Sequence, residues 1–350
     1  MGNYNNAMKI WCILVLVACN LFISSAASAR SALPVKDIAI DTKGHVYAAT
    51  WGGIYVYNQD GKTLCSYTKA DGLPTNTLTS VCTAPDGTVW FGSTHGVIRL
   101  SDEQISTFTI RDGLNDNLTY DVAYSPTLGL LAGTERGVCR LIGKRFQPLD
   151  DEHEFARRRV YDIHIDQKGN AWFAKEAGLS RYANEEDRTV FRRDVLQFPV
   201  ESGPVRNEIF CVTTDPKGRP WIGTLIGISY FDGVKWRSYV ESSQGHDGLP
   251  GLLNPYVTSL CFDPEGQLWI GHGNAEKNDI TVLKKGSWRH TTHFNGCPTG
   301  SVYKVRRFGN KLWVATSNGI FYSADGNFAK FGQHEIDNMT QKASKPNSVP

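Results

Sequence analysis

The 350-residue chain lacks most of the signals by which a function announces itself. Its formal net charge is only +2, and no basic stretch interleaves with stacking aromatics, which argues against a nucleic-acid groove. No Gly-x-Ser-x-Gly, no P-loop and no Cys-x-x-Cys occurs, so the sequence marks for a hydrolase elbow, a phosphate cradle and a dithiol redox centre are all missing. Beyond residue 29 no apolar run is long enough to read as a membrane helix. His290 and His293 lie three apart on a strand and face opposite sides, so they do not share a metal. No metal or cofactor is expected.

The one long apolar run stands at the start. Lys9, the stretch from Ile10 to Ile23 and Ala27-Ser28-Ala29 read as a secretory signal over residues 1–29, cleaved before Arg30. This places the protein in the periplasm or outside the cell. Leu16-Val17-Ala18-Cys19 also resembles a lipobox, which would lipidate Cys19, although Leu21-Phe22-Ile23 continue the apolar run past it. Of eight cysteines, Cys12 and Cys19 fall within the signal. The other six are expected to be free and mostly buried. Cys211 and Cys261 are the nearest to a pair, but their repeat slots point both side chains to the same side of their own sheets.

What the chain has is a repeat. An apolar strand, an acidic turn ending in Gly, an aromatic, Gly-Thr and a further Gly recur seven times. Val212 to Thr224 and Cys261 to Gly271 are the clearest copies, and the aromatic slot holds Tyr47, Trp90, Leu131, Trp172, Trp221, Trp269 and Trp313. Successive slots are 41 to 49 residues apart, the period of a four-stranded propeller blade. The fold class is therefore all-β, a seven-bladed propeller of four-stranded antiparallel blades over residues 30–331, with 332–350 a flexible tail. In the second copy the pattern predicts strands A to D at Thr79–Thr83, Thr88–Ser93, Gly96–Leu100 and Ile105–Thr109. Asp-Gly-Leu connectors at Asp71, Asp112 and Asp247 follow strand D, and their Leu residues are predicted to plug the groove between blades. No strand is left over to swap between the termini, so packing of the last blade on the first must close the ring.

The strand, Asp-x-x-Gly, Trp-Ile-Gly-Thr, Gly-Ile and Asp-Gly-Leu-Pro together resemble the two-component regulator propeller repeats. The resemblance spans about residues 35 to 331. It implies a periplasmic sensor propeller of the kind carried by hybrid histidine kinases, here without kinase segments and so a recognition module. Its ligand stays open between an oligosaccharide and an envelope protein, and a monomer is expected.

Loops joining B to C and D to A gather on one face of such a ring, where loops on a rigid scaffold usually bind. The candidate ligand residues there are Trp51, His95, Arg136, Arg206, Asn207, Tyr256, His272 and Asn318, with Asn76 and Asn117 in the connectors. Aromatic faces beside bidentate polar groups suit sugar rings and acidic glycans. Near the start of strand A, one slot holds Asp37, Ser80, Asp121, Asp162, Cys211, Ser259 and Lys304 in turn. Asp37, Asp121 and Asp162 are placed at the channel mouth, able to bind a cation or hydroxyls or to bond neighbouring blades. Two rival readings exist. One is a metal-dependent lyase resembling streptogramin B lyase, using His272 and Glu276. The other is a docking protein with an apolar patch of Leu225, Ile226, Leu252 and Leu253.

Overall fold

A computed structural model describes residues 33–149, 158–182, 208–240, 252, 254–273, 280–290, 296, 298, 300–324 and 327–332. The signal, the tail, Arg206, Asn207 and Glu276 lie outside them.

Seven antiparallel sheets follow one another, each built from consecutive strands paired A-B-C-D. Blade one is Val35–Ile40, Val46–Thr50, Gly53–Tyr57 and Thr63–Tyr67. Blade two is Leu78–Thr83, Val89–Ser93, Gly96–Ser101 and Gln104–Phe108, each strand within about one residue of the sequence expectation. Strands A of the remaining blades are Thr119–Ser125, Val160–Ile165, Cys211–Thr214, Val257–Phe262 and Val302–Phe308. Blade four shows three strands among the described residues. The only helical turns among them are two three-residue 3-10 turns, and no helix is long and apolar enough to cross a membrane.

The repeat is legible because each of its residues has a mechanical task. The Thr or Ser ending strand B closes the B–C turn. Ser93 Oγ donates to Gly96 O at 2.8 Å and accepts the N–H of His95 at 3.1 Å, and Thr50, Thr134, Thr224 and Thr316 donate in the same way. Gly96 closes that turn at φ 113°, and a Cβ there would sit 2.1 Å from Phe108 O. In blades four and six the acidic residue of the A–B turn holds the aromatic: Trp172 Nε1 donates to Asp166 at 3.0 Å, and Trp269 Nε1 to Asp263 at 2.9 Å. The Gly after the aromatic leaves room for the next blade, since a Cβ at Gly271 would meet Val302 Cγ1 at 2.5 Å.

The Asp-Gly-Leu connector works as three parts. Asp71 accepts the Thr68 N–H at 2.8 Å and its hydroxyl at 2.9 Å. Gly72 takes the left-handed conformation, and Leu73 is buried between blades one and two. Thr109, Asp112, Gly113 and Leu114 repeat this one blade later. In the fifth connector the expected plug, Leu249, lies outside the described residues; Leu252, three positions on, is fully buried between blades five and six. This corrects the docking patch, because Leu252 has no surface to offer it.

The core is seven apolar slabs, one per blade interface. The slab that closes the ring joins Val35, Ile38, Val46, Ala48 and Tyr57 of blade one to Trp313, Ala315, Ile320 and Phe331 of blade seven. No strand crosses that seam among the described residues. Cys65, Cys82, Cys139, Cys211 and Cys261 are free thiols, all buried or half-buried.

Candidate functional site at the channel mouth

Strand A carries a one-residue bulge near its start in six of the blades, for example between Val35 and Asp37 and between Val160 and Asp162. A bulge frees one residue from the ladder and re-aims its side chain. The residues so freed are Lys36, Thr79, Tyr120, Tyr161, Thr258 and Tyr303. In blade five Phe210 holds the equivalent place, just before Cys211. Because strands A line the channel, the aromatics at this slot in blades three to five touch one another around its mouth, and Tyr256, just ahead of strand A of blade six, extends the row. Tyr120 meets Tyr161 with centroids 5.5 Å apart, Tyr161 meets Phe210 at 5.0 Å, and Phe210 meets Tyr256 at 5.7 Å. All four are half-buried. At blades one and seven, Lys36 Nζ lies 3.6 Å from the Tyr303 ring centroid and 5.4 Å from that of Trp51.

A polar network braces the arc. Arg159 gives Glu135 two hydrogen bonds, of 2.7 and 2.6 Å, and a third at 3.0 Å to the Tyr161 hydroxyl. Tyr120 donates to Glu135 at 2.8 Å and Tyr161 to Glu208 at 2.7 Å. Burial works against the Glu135 charge, but the Arg159 and Tyr120 hydrogen bonds hold its carboxyl below the usual range. Burial also raises both tyrosines, so they keep their protons and act as donors. Arg159 is thus half-buried and engaged by three hydrogen bonds, not a solvated surface charge.

One residue deeper lie the three carboxylates. They lace neighbouring strands A together and pair across the channel. Asp37 accepts the Val81 N–H at 3.0 Å, Asp121 that of Ile163 at 2.8 Å, and Asp162 that of Val212 at 2.8 Å. Ser259 does the same for Val305 at 2.9 Å. Lys304 of blade seven reaches Asp162 of blade four at 2.5 Å and Asp121 of blade three at 3.8 Å. Arg306 takes both oxygens of Asp37. Among the described residues no group of His, Cys, Asp or Glu could hold a metal ion.

Of the residues expected from sequence, Trp51, Tyr256, Asp37, Asp121 and Asp162 stand at the mouth or just below it. His95 is exposed on its B–C turn, with Nδ1 3.0 Å from Thr94 Oγ1. Arg136 is largely exposed and paired to Asp116 at 3.3 Å. Asn318 is half-buried in the last B–C turn, its N–H on Thr316. His272 is placed otherwise than expected. It ends strand B of blade six in the slot that five other blades give to Thr or Ser and blade four to Lys175, is fully buried, and has Nε2 2.8 Å from Thr281 Oγ1. Asn76 and Asn117 are also engaged, each accepting a connector N–H, from Lys69 at 2.8 Å and from Ile110 at 2.9 Å. The residues that sequence reasoning missed are Tyr120, Tyr161, Phe210, Arg159 and Glu208. Their signal was an aromatic recurring in one slot of three successive copies.

Residues 72–95 and 251–274 match the family described as the two component regulator propeller. Over these two stretches the chain is similar to two-component regulator propeller repeats. The second match contains the copy Cys261 to Gly271, and the first runs from Gly72 of the first connector through the Trp90 strand. No curated protein matches the chain by sequence. Among solved structures, the extracellular domain of a hybrid two-component system from B. thetaiotaomicron is similar at 19% identity and TM-score 0.63, covering 91% of this chain and 41% of that one. The chain thus spans about two fifths of that protein's length. Virginiamycin B lyase from Staphylococcus aureus is similar at 16% identity and TM-score 0.59, with 81% and 92% covered. PorZ, a surface component of the type-IX secretion system of Porphyromonas gingivalis, is similar at 12% identity and TM-score 0.56, with 87% and 39% covered. At these identities the likenesses show the fold.

Proposed function

We propose that this chain is a recognition propeller, acting in the periplasm or outside the cell, that binds a glycan-like ligand at the channel mouth without catalysing its conversion. The observation that supports this most is the arc Tyr120–Tyr161–Phe210–Tyr256, four half-buried rings in continuous contact. Aromatic faces bind the apolar faces of sugar rings. Glu135, Glu208 and Arg159 would meet hydroxyls or an acidic substituent from beside those faces. The rings brace one another, so little ordering remains to be done on binding. The extracellular placement of the hybrid two-component neighbour supports the same compartment.

The lyase reading loses its histidine, because His272 is fully buried and engaged with Thr281. The test is a thermal-shift screen of the purified protein against neutral, carboxylated and sulfated oligosaccharides. A ligand at a hundred times its dissociation constant adds about 2.7 kcal/mol of stability. A shift that Tyr161→Ala removes supports the reading; no shift across the screen, or one that survives this substitution, overturns it.

A further inference from the structure

The three channel carboxylates are unequally partnered. Asp37 receives both arms of Arg306, at 2.6 Å each. Asp162 receives Lys304 at 2.5 Å. Asp121 has only the far side of the same ammonium, at 3.8 Å, beyond the N–H groups of Val122 at 3.0 Å and Ile163 at 2.8 Å. All three carboxylates are buried. Three acids therefore face two cations, and two of the acids stand side by side against one ammonium. Adjacent carboxyl groups out of water do not both ionise readily; the pair relieves its repulsion by keeping a proton.

We propose that Asp121 and Asp162 form a binding site for one proton, held between them at neutral pH, with Asp121 donating and the Asp162 carboxylate accepting while it also takes Lys304. The channel then holds two ion pairs and one neutral carboxyl, and its charge balances. The environment agrees. Burial raises the Asp121 carboxyl to about 7, Lys304 offsetting part of the rise and Asp162 adding to it. Burial acts on Asp162 too, but Lys304, the Val212 N–H and the Asp121 hydrogen bond hold it below the usual range.

The other titratable groups facing the pair do not complete the balance. Arg306 is engaged by Asp37 and offsets the rise at Asp121 less than Lys304 does. The Cys82 and Cys211 thiols are pushed up by burial and stay protonated. Burial pushes His164 down to about 4, so it is neutral above that. Tyr120 and Tyr161 directly precede the two aspartates, which puts the proton immediately beneath the aromatic arc. The inference does not depend on what that arc binds.

The test is carbon-13 NMR of the whole protein labelled at aspartate carboxyls, titrated between pH 3 and 9. One carboxyl is expected to titrate near neutrality. Asp121→Asn removes that resonance and lowers the melting temperature only modestly, because it keeps the pair uncharged but its amide nitrogen cannot accept the N–H that one Asp121 oxygen takes. Asp162→Asn, by contrast, lowers the melting temperature more and moves the Asp121 titration below about 5, since Lys304 then serves Asp121 alone. If Asp162→Asn does not fold, the wild-type titration decides. Every aspartate titrating below about 5 in the wild type, or Asp121→Asn proving as destabilising as Asp162→Asn, overturns the proposal.

Discussion

Arg306 lays its guanidinium across the seam of the ring and gives each Asp37 oxygen a hydrogen bond of 2.6 Å. Asp37 also accepts the Val81 N–H at 3.0 Å, so one carboxylate ties blades seven, one and two. The seam has no swapped strand among the described residues; this pair and the apolar slab beside it do that work. Removing one partner of a buried pair leaves the other charge unpaired, which costs about 3–5 kcal/mol. Arg306→Met is expected near the lower end, because its side chain remains 29% exposed. Denaturant unfolding checks this, and the Asp37→Asn, Arg306→Met double variant should lose clearly less than the two single losses together.

Asp263 holds the Trp269 indole N–H and the Gln267 backbone N–H. Asp263→Ala strands both donors and should cost about 1–3 kcal/mol. A melting temperature equal to the wild type would show that the acidic turn does not hold its aromatic.

Gly96 sits at φ 113° with Phe108 O in the place of its missing Cβ. Gly96→Ala combines strain and a backbone clash and should cost about 3 kcal/mol, whereas Gly87→Ala, with nothing within 4 Å, should cost less. Parallel urea melts compare the two.

His272 gives the fold an acid-sensitive slope. Burial, with His290 adding to it, depresses its pKa from the ordinary 6.5 to about 4. Between those values the unfolded chain binds a proton that the native state refuses, so stability falls as pH drops from 6.5 to 4, by up to about 3 kcal/mol. His272→Thr places there the residue used by blades one, three, five and seven. The difference in unfolding free energy between wild type and this variant should shrink towards pH 4; a difference independent of pH contradicts it. Asp121 slopes the other way, since its native pKa lies above its ordinary value. Its contribution falls as pH rises from about 4 to about 7, so the two groups must be separated by variant.

Much of the fold could be read in the sequence because each blade is specified locally. The acidic turn, the aromatic, the Gly that admits the next blade and the Thr that closes the turn lie within about fifteen residues and fix one register. Contacts around the ring are not specified that way. Lys304 stood out as an odd residue in its slot, but nothing local says that it spans the channel to Asp162, 142 positions away. Tyr120, Tyr161 and Phe210 recur in one slot, but nothing periodic marks the one-residue bulge that frees the two tyrosines from the ladder. His272 read as a loop residue because the segment after it departs from the repeat, which hid that strand B runs on through it.

The central claim, that the mouth sector of blades three to six is the recognition surface, is tested most directly by titration calorimetry of the best oligosaccharide from the screen. Wild type would be compared with Tyr161→Ala, Phe210→Ala and Val234→Ser, the last an exposed residue of a C–D turn. The account predicts at least about a tenfold loss of affinity, or 1.4 kcal/mol, for each aromatic variant and none for Val234→Ser. Equal affinity in all four proteins would contradict it.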